Sequence, residues 1–163
     1  MRSHARLHAT TIVLLFALAT GLAACGGGGE PSAQAPAAAP GGLTAEQLEK
    51  GIGPISEVSL GAEIEAGLAA QGAEVFGMKC SACHKLDQRY VGPALGDVLE
   101  RRSPEFVMNM VLNPAEMLEK HPEAKAMLAQ FMTPMPNQNL TREEARAILE
   151  YLRQEHARVA QAR

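Results

Sequence analysis

The sequence is poor in aromatic residues and in cysteine, and it has no excess of basic charge. Its 163 residues include no Trp, two Tyr, four Phe and three Cys. Neither an aromatic-rich core nor a framework of disulfides is therefore predicted. The net charge of −3 and the lack of a basic stripe argue against nucleic acid as a partner. About 100 residues of periodic sequence remain after the N-terminal region, enough for one small domain.

The N-terminal stretch has the pattern of a processing segment. A basic start is followed by an apolar run, 11–20, that is too short to cross a bilayer. The run ends in Leu22-Ala23-Ala24-Cys25, which resembles the bacterial lipobox. This resemblance implies a signal peptide over 1–24 and a lipid on Cys25. Secretion with an unmodified cysteine and an uncleaved anchor helix are the alternatives, and all three export the rest of the chain from the cytoplasm.

Two segments separate this leader from the domain. Residues 25–42 are rich in Gly, Pro, Ala and Ser, so they have little apolar surface to bury and are predicted to form a disordered linker. In 43–60, Thr44 could cap a short helix, which Gly and Pro residues soon break. We predict that this segment is an arm that packs on the domain through Ile52 and Ile55.

The pentapeptide Cys80-Ser81-Ala82-Cys83-His84 carries the chemistry. Two thiols at this spacing can bond to the two vinyl groups of a haem while the imidazole binds the iron, which is the pattern of c-type haem attachment. A zinc half-site is one alternative, but zinc normally takes four ligands and the third cysteine is the distant Cys25. A redox-active Cys-x-x-Cys would lie beside a βαβ pattern, which this sequence does not have. We therefore predict one covalent haem c, attached through Cys80 and Cys83 with His84 as an axial ligand.

Helical periodicity predicts an all-α domain over 61–163. The predicted helices cover about 62–79, 104–112, 122–131 and a stretch that starts at Thr141. Gly72 lies inside the first helix, at a cost of about 1 kcal/mol relative to Ala. We take this cost as a sign that the backbone of the last helix passes close to Gly72. A buried haem would also supply apolar area that the few aromatic residues do not.

Together these features resemble class I cytochromes c, from about Gly61 to the C-terminus. The residues that carry the resemblance are Gly72, Phe76, Cys80, Cys83, His84, Gly92, Pro93, Met135, Pro136 and Tyr151. It implies about four to five helices wrapped around one haem, and the Pro93 carbonyl as acceptor for the second ring nitrogen of His84. It also implies that Met135, which stands directly before Pro-Asn, is the second axial ligand. Met132 is the alternative ligand.

Two protein ligands would leave no place on the iron for a substrate. The expected function is therefore one-electron transfer through the haem edge, without enzymatic activity or a small-molecule substrate. A pentacoordinate haem that senses a gas or acts as a peroxidase is one alternative, and a fixed haem subunit of a membrane oxidoreductase is another. The stretch from Arg101 to Leu140 also resembles small cytochromes that accompany nitrous oxide reductase systems, which makes that reductase a candidate partner.

Basic residues near the haem motif are candidate contacts for partners and propionates. We expect Lys79 and Lys85 to steer an acidic redox partner, although solvated surface charge is the alternative. Charge-assisted bonds to the propionates are expected from some of Arg89, Tyr90, Arg101 and Arg102. The expected location is the periplasmic side of a bacterial membrane, anchored by the lipid. Gly26 follows the lipid cysteine, which by family analogy favours the outer membrane.

Overall fold

The computed structural model describes residues 42–161. The predicted signal peptide, the predicted lipidation site Cys25 and the predicted linker up to residue 41 lie outside the described residues. Within 42–161 the chain forms helices and no strand, which confirms the all-α prediction. The helices are α1 Ala45–Lys50, α2 Ala66–Lys79, α3 Val98–Arg101, α4 Pro104–Leu112, α5 Pro114–Lys120, α6 Pro122–Phe131 and α7 Arg142–Gln161.

The described part of the predicted domain contains six helices, α2 to α7, where about four to five were predicted, because two of the six are short. Helices α3 and α5 contain four and seven residues, and runs of this length leave little periodicity to detect. Helix α1 lies in the arm and is capped by Thr44, as the sequence suggested. The helix predicted from about 62 begins at Ala66. Among the described helices, none combines the length and the hydropathy that a membrane span requires.

Helices α2 and α7 cross at Gly72, as the sequence predicted. A Cβ atom on Gly72 would collide with the backbone carbonyl of Ala147 and would lie 2.9 Å from Cβ of Tyr151. The ring of Phe76 packs against that of Tyr151 with 5.4 Å between centroids. Only glycine allows the two backbones to come this close, and the crossing fixes the end of α2 that precedes the haem motif.

A buried carboxylate joins the same two helices at the start of α2. The side chain of Glu150 on α7 is fully buried and accepts hydrogen bonds from the N–H of Glu65 at 2.9 Å and from Arg153 at 2.7 Å. Arg146 donates a third bond. Burial raises the pKa of Glu150, but these three donors outweigh burial and hold the pKa below its usual range. The carboxylate is therefore ionised and paired inside the core.

The arm is fixed to α4 by the side chain of Asn109. This amide is fully buried, donates to the carbonyls of Lys50 at 2.9 Å and Ile55 at 2.8 Å, and accepts from the N–H of Ile55 at 3.0 Å. Ile52 and Ile55 are 7% and 3% exposed. Both isoleucines belong to clusters of buried apolar side chains, so the arm packs into the hydrophobic core.

A buried histidine ties α1 to α6. His121 donates from Nε2 to the carbonyl of Leu48 at 3.1 Å, while its Nδ1 accepts from the N–H of Glu123 at 3.2 Å. A ring nitrogen that accepts cannot carry a proton, so these contacts require a neutral imidazole. The ring also meets Phe106 edge-on, with 5.1 Å between centroids. The N-terminal segment is thus joined to the helix that precedes the candidate ligand Met135.

Candidate functional site

The two cysteines and the histidine of the pentapeptide occupy one tight turn at the end of α2. Cys80 ends the helix, with its N–H bonded to the carbonyl of Phe76 at 2.9 Å. Its own carbonyl accepts from the N–H groups of Cys83 at 3.0 Å and His84 at 2.9 Å. Both thiols are free, and burial raises the pKa of Cys80 to about 11. All three side chains line the same cavity.

This cavity has a volume of about 1240 Å³, including the part that is open to solvent. Its walls come from helices α2 to α7 and from the loops that follow the motif and α6. Apolar side chains dominate the lining and include Phe76, Val98, Phe106, Val107, Ile148 and Leu152. The chemistry of this lining suits a large apolar group.

The imidazole of His84 is held in one orientation. Its Nδ1 lies 3.1 Å from the carbonyl oxygen of Pro93. Because a carbonyl only accepts, Nδ1 carries a proton, and in the neutral ring Nε2 is then the nitrogen that can bind a metal. Gly92 leaves room for the ring, since a Cβ there would lie 2.5 Å from Cε1 of His84. The N–H of Gly92 bonds to the carbonyl of Cys83 at 2.9 Å, which ties the loop to the motif.

The two methionines considered as second ligand occupy different positions. Met135 is partly buried and lines the cavity together with His84. Met132 ends α6 in a left-handed conformation with φ of 53° and is 85% exposed. It is not part of the cavity wall. Of the other methionines, Met110 and Met127 line the cavity, whereas Met108 and Met117 are buried in the core.

The candidate contacts for partners and propionates differ in whether they line the cavity. Lys79, Arg101 and Arg102 line the cavity, whereas Lys85, Arg89 and Tyr90 do not. Arg101 pairs with Asp97 at 2.8 Å and Arg102 with Glu123 at 2.6 Å. Both guanidinium groups therefore stand at the cavity wall with acidic partners already in place.

The remaining basic residues contact the protein itself. Lys85 donates to the carbonyl of Ser81 at 2.9 Å, and its ammonium lies 5.1 Å from the centroid of the Tyr90 ring. Lys79 donates to the carbonyl of Gln138 at 3.2 Å. The Arg89 guanidinium lies over Phe131. These contacts reduce the freedom of the charges that were expected to steer a partner.

Sequence reasoning missed part of the cavity wall. Phe106 and Met110, which line it from α4, were predicted as part of the apolar side of that helix, and Met110 as a residue of the haem wall or the core. The positions of Phe131 and Gln138 in the wall were not predicted. No comparable signal marked Gln138, because its backbone carbonyl makes the contact with Lys79.

Comparison with known proteins identifies the family. The family model described as cytochrome c matches residues 69–155. The chain belongs to the cytochrome c family. Cytochrome c-551 of Ectopseudomonas mendocina is 33% identical over 84 residues, which cover 51% of this chain and 95% of the relative. Cytochrome c-551 of Stutzerimonas stutzeri is 31% identical over 90 residues, covering 55% of this chain and 81% of the relative. The solved structure of cytochrome c from Rhodothermus marinus has 49% identity and a TM-score of 0.67, covering 69% of this chain and 97% of that one.

The chain is therefore a class I monohaem c-type cytochrome with one covalently attached haem c. The residues of the cavity fit that group, because two free thiols at the end of α2 accompany an imidazole with an available Nε2 and an apolar wall. Haem-based electron transfer is the function of this family.

Proposed function

We propose that this cytochrome is a one-electron carrier, attached to its haem through Cys80 and Cys83, with His84 and Met135 as axial ligands. The observation that carries the proposal is the presence of two thiols, a metal-competent imidazole and a thioether in the lining of one cavity. Bound haem c would supply a reversible one-electron change at the iron. The protein would hold both axial positions, so that no substrate reaches the metal and no catalytic residue is required.

The two proposed ligands would act on the iron in different ways. The carbonyl of Pro93 fixes the tautomer and orientation of His84, and such an acceptor raises ligand basicity. The thioether of Met135 is a soft, neutral ligand that favours ferrous iron and raises the potential. The exposed position of Met132 and its absence from the cavity wall favour Met135 over it.

Absorption spectra of the haem-loaded protein test this proposal. We expect a low-spin spectrum with the weak sulfur-to-iron charge-transfer band, unchanged by carbon monoxide in the reduced form. Met135→Ala should abolish the band, lower the potential and allow carbon monoxide to bind. Met132→Ala is the matched control and should leave all three unchanged. A wild-type protein that is high-spin or binds carbon monoxide would instead support the gas-binding or peroxidase alternative.

We further propose that a lipid on Cys25 tethers the carrier to the periplasmic side of a bacterial membrane, with the outer membrane favoured. It would exchange electrons there with redox proteins, among which nitrous oxide reductase is a candidate. Support for the tether comes from the Leu-Ala-Ala-Cys sequence. Cys25→Ser should move the haem protein from the membrane fraction to the soluble fraction. Wild-type protein that is already soluble would contradict the tether.

A further inference from the structure

The segment that carries Met135 is held mainly by side chains. We call residues 132–138 the Met135 loop. After the N–H of Met132 bonds to the carbonyl of Leu128 at 2.8 Å, residues 133–140 form no backbone-to-backbone hydrogen bond with any part of the chain that the structure describes. A segment without such bonds opens at low free-energy cost unless other contacts hold it.

One contact holds the chain where the Met135 loop begins. Arg89, in the loop that follows the haem motif, donates from Nη2 to the carbonyl of Gln130 at 3.0 Å. Its guanidinium lies 4.4 Å from the centroid of the Phe131 ring. Gln130 and Phe131 are the last two residues of α6, where carbonyl groups lack helical partners and the helix dipole favours a cation. Arg89 therefore caps the helix from which the Met135 loop departs.

A second contact holds the other end of the Met135 loop. Lys79 is the last residue of α2, directly before Cys80. Its ammonium donates to the carbonyl of Gln138 at 3.2 Å, in a partly buried position. The two anchors thus contact the chain on either side of Met135, and both belong to the part of the protein that carries the thiols and His84.

We propose that Lys79 and Arg89 are positioning residues that clamp the Met135 loop over the cavity and keep the thioether at the iron. The inference rests on the proposed function, because it assumes that Met135 is an axial ligand. An external ligand can occupy that position only in molecules whose loop has opened. Its apparent affinity therefore scales with the open fraction, and loss of either anchor should raise that fraction.

Imidazole binding to the oxidised, haem-loaded full chain tests the clamp. The variants are Lys79→Met, which keeps the side-chain stem but loses the donor, and Arg89→Gln. Lys85→Met is the matched control, because Lys85 carries the same charge near the motif but donates to Ser81 in its own turn. We expect each clamp variant to bind imidazole about three- to tenfold more tightly than wild type, which is the range for the net contribution of one ordinary hydrogen bond. The control should match wild type.

The possible outcomes distinguish failure of the clamp from failure of the assignment of Met135 as ligand. The sulfur-to-iron band and the circular dichroism of each variant are recorded without imidazole. If one clamp variant is unfolded by these criteria, the test rests on the other clamp variant. Clamp variants that bind imidazole no more tightly than Lys85→Met would overturn the clamp while leaving Met135 as ligand. If wild type lacks the band and Met135→Ala has the same imidazole affinity, the ligand assignment fails, and the clamp fails with it.

Discussion

His84 and Met135 line the same cavity, but they stand on backbone of different kinds. On the His84 side, backbone hydrogen bonds join Gly92 to Cys83, Leu95 to Lys85 and Gly96 to Leu86, at 2.8–3.0 Å. On the Met135 side, residues 133–140 make no such bond within the described chain, and side chains from the His84 side hold the loop. One proposed ligand is therefore fixed by the fold, whereas the other depends on a few replaceable side-chain contacts.

This difference indicates where ligand exchange would occur in such a cytochrome. Backbone bonds resist opening because several must break together, whereas a loop held by two side-chain contacts opens alone. We expect changes on the His84 side to reduce the stability of the whole domain. Changes on the Met135 side should alter the potential and ligand access while leaving stability nearly intact. The following predictions test that contrast, beginning with the largest expected effect.

Removing the buried carboxylate of Glu150 should give the largest loss of unfolding free energy. In Glu150→Ala, the N–H of Glu65 and the guanidinium groups of Arg146 and Arg153 lose their acceptor. Breaking one partner of a buried ion pair typically costs about 3–5 kcal/mol of unfolding free energy. Urea unfolding of the haem-loaded protein measures the loss.

The control for this change lies on α1. Glu46 pairs with Lys50 at 3.0 Å, and its side chain is 60% exposed. Exposed pairs contribute about 0–1 kcal/mol, so Glu46→Ala should stay close to wild type. Equal losses in the two variants would mean that the Glu150 network does not stabilise the crossing of α2 and α7.

A methyl group at Gly92 should disturb the His84 side directly. The added Cβ of Gly92→Ala would lie 2.5 Å from Cε1 and 2.8 Å from Nδ1 of His84. The ring or the loop must therefore move, at a cost of about 1–3 kcal/mol for overpacking. We expect lower unfolding free energy and a weaker contact between His84 and Pro93, which the NMR shift of the Nδ1 proton reports.

Gly77→Ala tests whether the effect is specific to that position. A Cβ added to Gly77 in α2 would meet no atom within 4 Å beyond its own helix backbone and chain neighbours, and Ala is favoured over Gly in a helix by about 1 kcal/mol. This variant should be as stable as wild type or more so. If the unfolding free energy of Gly92→Ala also equals or exceeds that of wild type, the loop around His84 can shift to accommodate a methyl group despite its hydrogen bonds.

The sequence revealed the parts of this structure that depend on neighbouring residues. The haem motif and the Thr44 cap of α1 are local patterns, and each is present in the structure. Gly72 was an exception, since its cost within one helix indicated a distant backbone.

Contacts between distant parts of the chain were not predictable in this way. Asn109 bonds to Ile55, 54 positions away, and Glu150 bonds to Glu65 across 85 positions. Lys79 was predicted to steer a partner and Arg89 was a candidate propionate contact, and both remain predictions. Their bonds to carbonyls 59 and 41 positions away were not foreseen. A charged residue near a motif has several possible partners, and only the packing of the helices decides which carbonyl it reaches.

Acid should lower the unfolding free energy gradually through protonation of Glu150, and this is the smallest effect we expect. Its three donors hold the folded-state pKa below the ordinary glutamate value of about 4.3. Below that pH the unfolded chain binds a proton at Glu150 while the folded chain does not, so the stability that this carboxylate provides falls as the pH drops through the folded pKa. Well above the ordinary glutamate pKa that contribution is fully present.

Urea unfolding between about pH 6 and pH 3, a range that brackets the ordinary glutamate pKa, tests this effect. The acid-induced loss of unfolding free energy should be smaller in Glu150→Gln than in wild type, because the variant has no carboxylate to protonate at this position. Equal slopes in the two proteins would assign the acid sensitivity to other carboxylates and leave Glu150 a purely structural acceptor.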